Sequence, residues 1–144
     1  LDRAGHHPCR TVTRIEDIEQ ARDALANGYG MNVCSNQGFS SNRDKYGWSK
    51  ARGFWAHAMA WIGVNDDPND PACKKHGRPL FLVLNSWGKG WNAGDRYHDQ
   101  PAGSFWINAR TAQSMLRRGG GFAFSRVSGF PAQELPDYGA TSRI

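Results

Sequence analysis

The sequence predicts an α+β fold: one main helix, then a β-rich, antiparallel, barrel-like sheet. Three observations carry this. Ile15, Ile18, Ala21 and Leu25 recur at roughly helical spacing. Further along, the apolar residues gather into short runs rich in β-branched and aromatic side chains, notably 55–64 and 80–84. Long polar stretches with Gly, Ser, Asn and Pro separate those runs. A helix followed mainly by strands belongs to the α+β architectures.

The elements follow in order. Residues 1–10, with Gly5, Pro8 and the pair His6-His7, read as a lead-in. Thr11-Val12-Thr13 is a short β-branched segment. A helix is expected over 15–27, opened by a Thr13/Glu16 capping box and closed by Gly28 in the left-handed conformation. Residues 31–34 read as a buried strand, and 35–53, polar but carrying Phe39, Tyr46 and Trp48, as a long surface loop. A strand over 55–64 follows, then a turn or insertion over 65–79 marked by Asp66, Asp67, Pro68, Asp70, Pro71 and Gly77. Residues 80–84 form a core strand, 87–102 a second long loop, 103–108 a strand, 111–116 a short helix, 119–121 a turn and 122–127 a last strand. The tail over 131–144, with Pro131, Pro136 and Gly139, reads as an extended strap. One domain over 11–130 lies between lead-in and tail.

A chain of 144 residues can bury a real core. It begins at Leu1 rather than Met, which reads as a processed or partial chain. The net charge of +5 attracts acidic partners only weakly, and no dense basic run marks a specific nucleic-acid surface. Lys74-Lys75 and Arg117-Arg118 read as solvated surface pairs. No stretch approaches the roughly 18 apolar residues of a membrane span. The three cysteines, Cys9, Cys34 and Cys73, leave at least one thiol unpaired within the chain, so this is not a disulfide framework.

Two segments carry candidate chemistry. In Trp55-Ala56-His57-Ala58 a histidine stands at the mouth of an apolar strand. In Leu84-Asn85-Ser86-Trp87-Gly88 an asparagine ends another. A nucleophilic thiol needs an imidazole within reach, and that imidazole needs a neutral amide oxygen to fix its tautomer. Adjacent strand ends would put His57 beside Asn85, with Trp87 shielding the pair. Taken singly, a histidine on an apolar strand is usually a satisfied core residue and an asparagine at a strand end usually a turn residue. The two together, in this order, point to a site.

His57-Ala58, Asn85-Ser86-Trp87-Gly88, Gly90-Trp91 and Gly103-Ser104-Phe105-Trp106-Ile107 together resemble the C-terminal, histidine- and asparagine-bearing half of the papain-like cysteine peptidases, divergent and of a kind encoded by bacteria or their viruses. The resemblance spans roughly residues 10–130. It implies the β-rich subdomain of that fold, with His57 as general base and acid, Asn85 as its orienter and Trp87 as shield. Trp55, Ala56 and Val33 would line one wall of a peptide-binding cleft. It implies no cofactor and no metal.

The family's nucleophile opens a helix in its other half, with the histidine about 130 residues downstream. No such segment exists here. Cys9 is followed by a β-branched run rather than a helix start, and Cys34 sits inside an apparent strand. The expected partner is therefore the N-terminal half of the same fold, or another protein chain, supplying the cysteine and oxyanion donors. The alternative is a catalytically inactive papain-fold binding or structural module, for example a virion component or an extracellular protein. Three further clusters read as structural. Cys73 with His76, and His6-His7 with Cys9, fall short of the four ligands of a closed zinc site. Asp66, Asp67 and Asp70 lack a calcium loop's distal glutamate.

Overall fold

Residues 9–127 are described by a computed structural model of the chain, with side chains described over 11–124. Residues 1–8 of the expected lead-in, with His6 and His7, and residues 128–144, with the tail over 131–144, lie outside them; the lead-in's last two residues, Cys9 and Arg10, instead belong to a strand because they pair with the end of the chain's last described strand. The architecture is α+β and strand-rich, with a curled antiparallel half-barrel sheet. Among the described residues the strands are β1 (Cys9–Ile15), β2 (Met31–Arg43), β3 (Ser49–Asn65), β4 (Leu80–Leu84), β5 (Ser104–Asn108) and β6 (Gly120–Val127). The helices among them are α1 (Ile18–Ala26), α2 (Pro71–His76) and α3 (Ala109–Arg118). The sheet order is β1-β6-β2-β3-β4-β5, so the N-terminal strand and the last one pair at one side.

The main helix starts later than its periodicity suggests. Thr13 and Ile15 belong to β1, and Asp17, not the Thr13/Glu16 box, caps α1 by accepting from the Gln20 N–H. The exit is as expected. Gly28 takes φ 82°, its N–H bonds to the Leu25 carbonyl, and the Tyr29 N–H reaches back to the Ala24 carbonyl.

The largest departure is over residues 35–53, which form no loop. β2 continues to Arg43 and β3 begins at Ser49, together making one long hairpin. The polar residues are strand residues with a solvated face, while Phe39 is buried at 4 % exposure. Strand propensity depends on what a side chain packs against, and Ser and Asn serve on an open face. Asp44 shapes the hairpin tip: its Oδ1 accepts from the N–H groups of Tyr46 and Trp48. The tip folds over the far edge of the sheet, where the Trp106 N–H donates to the Gly47 carbonyl at 2.9 Å.

Ile15, Met31, Val33, Met59, Trp61, Phe81, Val83, Phe105 and Ile107 line the inner face of the sheet. Against it lie Ala21, Ala24 and Leu25 of α1 and Ala112, Met115 and Leu116 of α3. A smaller cluster on the other side joins Ala72, Cys73, Leu80, Leu82 and Trp106. The insertion over 65–79 contains α2, with Pro71 opening its first turn. The turn expected at 119–121 shrinks to Gly119, the C-cap of α3, and β6 begins at Gly120.

Asp70 ties this second cluster together. It is 7 % exposed and accepts from the Ala72 and Cys73 N–H groups, the Tyr97 hydroxyl and His98 Nε2. Burial alone raises its pKa. The hydrogen bonds from His98, the Cys73 N–H, Asn65 and the Ala72 N–H outweigh burial and bring it down to about 2. A carboxylate with a depressed folded-state pKa stabilises the fold above its unfolded value. That contribution disappears as pH falls through the folded value. Denaturant unfolding of the wild type should therefore lose roughly 2 kcal/mol between about pH 4 and pH 2. Asp70→Asn should flatten the profile in that window; an unchanged slope would dissociate Asp70 from acid stability.

Candidate active site

β3 and β4 run antiparallel, with Ala60 opposite Leu84. Asn85, the first residue past β4, therefore lies level with the part of β3 that carries His57. The two side chains meet: His57 Nε2 is 2.9 Å from Asn85 Oδ1. An amide oxygen only accepts, so Nε2 carries the proton and donates it to this bond. In the neutral imidazole Nδ1 is then the unprotonated nitrogen, the one able to take a proton. Asn85 is 5 % exposed, and its backbone N–H donates to the Gly103 carbonyl at 3.2 Å. The pair thus consists of a half-buried base on a rigid strand and a buried orienting amide.

Trp87 lies against the imidazole, with ring centroids 4.8 Å apart and planes tilted by 31°. It also packs on Trp55 at 4.6 Å, and Trp91 meets it edge-on at 5.7 Å. Trp87 is nevertheless 49 % exposed, so it covers one face of the pair rather than enclosing it. Trp91 is anchored through Nε1–H to the Gly103 carbonyl at 2.8 Å.

The segment bearing Trp87 and Trp91 is gripped by a residue that sequence reading had not singled out. The Arg43 guanidinium, at the end of β2, donates to Asn92 Oδ1, the Ser104 carbonyl and the Gly94 carbonyl at 2.8–3.1 Å. Backbone bonds between Arg43 and Ala93 and between Ala93 and Ser41 complete the grip. No local pattern announces an arginine 49 positions from its partner Asn92.

Beside His57 lies a concavity of about 350 Å³, walled by Cys34, Ala56, Ala58, Arg118 and Gly119. Gly119 brings the end of α3 onto β2: a Cβ there would collide with the Cys34 carbonyl oxygen. Of the wall residues expected from the sequence, Ala56 lines this concavity and Trp55 lines a second one on the far side of Trp87. Val33 lines neither. It is fully buried and faces the core, and its neighbour Cys34 stands at the wall instead. The parity of the strand holds the reason: Met31, Val33 and Ser35 point inward, so Cys34 points outward.

That parity also bears on the thiols. Ser35 pairs with His57 and Cys34 with Ala58, so Cys34 belongs to the opposite face of the hairpin from the imidazole. Cys73 lies in the second cluster, where its Sγ–H donates to the Asn65 carbonyl at 3.4 Å. Burial, then the charges of Asp70, Asp66 and Asp67, push its pKa up to about 11, so it stays protonated at neutral pH. Cys9 lies on β1, which β6 and β2 separate from β3. No described thiol is thus a partner for His57.

The other clusters have structural partners. His76 Nε2 is 2.8 Å from Asp44 and its ring stacks on Trp48. Asp66 pairs with Arg78, and Asp67 accepts from the Asn69 N–H. Among the described residues no group of three or more His, Cys, Asp or Glu is arranged to hold a metal ion. No helix among them is long and apolar enough to cross a membrane. No protein-family model, curated protein or solved structure matches this chain.

Proposed function

We propose that this chain supplies the base-bearing half of a papain-like cysteine peptidase site. His57 acts as general base and then general acid, and Asn85 fixes its tautomer. A cysteine from a further segment or another chain attacks the peptide carbonyl. The single observation that carries this reading is the 2.9 Å contact between His57 Nε2 and the buried Asn85 Oδ1. It leaves Nδ1 free to accept the thiol proton. The thiolate then attacks the carbonyl, and the imidazolium returns the proton to the departing amine. Water, deprotonated by the same imidazole, hydrolyses the thioester and regenerates the thiol. The concavity beside His57 provides room for the incoming thiol and the acyl side of the substrate.

A second reading, a binding module without chemistry, draws on one observation: no described thiol shares the face of His57. One experiment separates the two. Residues 1–144 alone should cleave no fluorogenic peptide. The same chain joined to, or mixed with, the segment carrying the nucleophile should cleave it, and a thiol-directed reagent should stop the reaction. Thiol-reagent-sensitive cleavage by residues 1–144 alone that Cys34→Ser or Cys9→Ser abolishes would put the nucleophile in this chain and refute the proposed division of labour. Absence of cleavage from every assembled form would leave the binding module as the reading.

A further inference from the structure

A second concavity, of about 510 Å³, lies across Trp87 from His57. Its floor is aromatic, built from Phe39, Trp55, Trp87 and Trp91. Its rim is polar, with Ser40, Ser41 and Asn42 from β2 facing Arg52 and Gly53 from β3. No lining residue is acidic. The Arg52 side chain is exposed and makes no hydrogen bond or ion pair with any described residue. Arg43, by contrast, spends both terminal nitrogens of its guanidinium on Asn92, Gly94 and Ser104.

The hairpin is built to put Arg52 there. Between Ser35/His57 and Phe39/Ala51 the pairing of β2 with β3 slips twice by one residue. Bulges of this kind re-aim side chains and favour sites. Gly53 takes φ 78°, a conformation that favours glycine. Across from it a Cβ on Gly38 would strike the Arg52 carbonyl and the Trp55 indole. Two glycines therefore let the strands close up while Trp55 lies inward against Trp87. Phe54 is thrown outward, 75 % exposed.

We infer that this concavity is a binding subsite for a peptide group that joins an apolar or aromatic side chain to a carboxylate. The flat group stacks on the exposed part of Trp87, and the carboxylate pairs with Arg52. Guanidinium and carboxylate match as a planar fork, and a positively charged ligand would meet an unpaired arginine with no acidic residue to offset it. The inference rests on the proposed function only for its meaning as a substrate subsite. The binding itself does not depend on it.

Two kinds of carboxylate fit this chemistry: the C-terminus of a peptide and an acidic side chain within it. The test is a titration of residues 1–144 followed by tryptophan fluorescence, since three indoles meet at the site. Three ligands are compared: N-acetyl-phenylalanyl-glycine as the free acid, its C-terminal amide, and N-acetyl-phenylalanyl-aspartyl amide. The free acid, the aspartyl peptide or both should bind about fivefold more tightly than the neutral amide, the weight of one exposed charge pair. Which of them does so distinguishes a terminal carboxylate from a side-chain one. Arg52→Met should erase the preference while leaving the weaker stacking interaction, and Arg52→Lys should restore part of it. Equal affinity for acid and amide, a preference that survives Arg52→Met, or no saturable change at millimolar concentration with any of the three would overturn the inference. His57→Ala should leave the preference intact. Loss of activity in the assembled protein and loss of this preference are thereby separate outcomes.

Discussion

Under the proposed function, His57→Ala in the assembled protein should lower kcat/KM for peptide hydrolysis by about 10²–10⁴-fold, the usual weight of general acid–base catalysis. Among the residues lining the concavity only the His57 imidazole has a ring nitrogen able to accept a thiol proton, and alanine replaces it with nothing. Asn85→Ala should cost less, roughly tenfold, because it removes one orienting hydrogen bond worth about 1.4 kcal/mol while the base remains. The ordering matters as much as the size. Both rates are read against thermal melts, which show whether a variant has lost the fold rather than the site. Activity in the His57→Ala form equal to wild type would remove the histidine from the mechanism.

The largest stability effect is expected at Trp61. It is fully buried, its ring lies 5.2 Å from that of Phe81, and it pairs across the sheet with Val83 of β4. Trp61→Ala should destabilise the fold by about 3–5 kcal/mol, through lost burial and the cavity left behind. Denaturant unfolding of residues 1–144 measures it. Trp61→Phe supplies a sharper comparison. The indole N–H of Trp61 has no hydrogen-bond partner among the described residues, so phenylalanine forfeits no bond and should cost well under the alanine variant. If phenylalanine were as damaging as alanine, the N–H would have to be bonded in solution.

The sequence announced the two strands that meet at the site because each is a compact apolar run ending in a residue of distinct chemistry. Leu80–Leu84 is such a run, and Asn85 follows it directly. What it concealed was the hairpin. The polar stretch from Ser35 onward has strand geometry because β3 lies beside it and its inward residues reach the core, and neither fact is local. The expected wall of the cleft illustrates the same limit. Val33 is apolar and near the right place, yet the choice between Val33 and Cys34 turns on strand parity fixed by the buried neighbours Met31 and Ser35. Arg43 was hidden for a third reason: its partners Asn92, Gly94 and Ser104 are brought to it only by the folded chain. The helix start shifted because Asp17 offers a cap two residues beyond the end of β1, and the strand claimed Thr13 and Ile15 first.

The hairpin tip resting on β5 also governs how copies of this protein can grow into larger bodies. An open sheet has two free borders, and each is a template on which another chain can zip. At the β5 border one template position is already taken, because the Trp106 N–H is spent on Gly47 and Gln100 Nε2 holds the neighbouring Ser104 carbonyl at 2.7 Å. A second molecule could add there only after peeling back the tip, with its Trp48–His76 stack and its Asp44 contacts. Strand addition at this border is therefore held back by the protein's own hairpin.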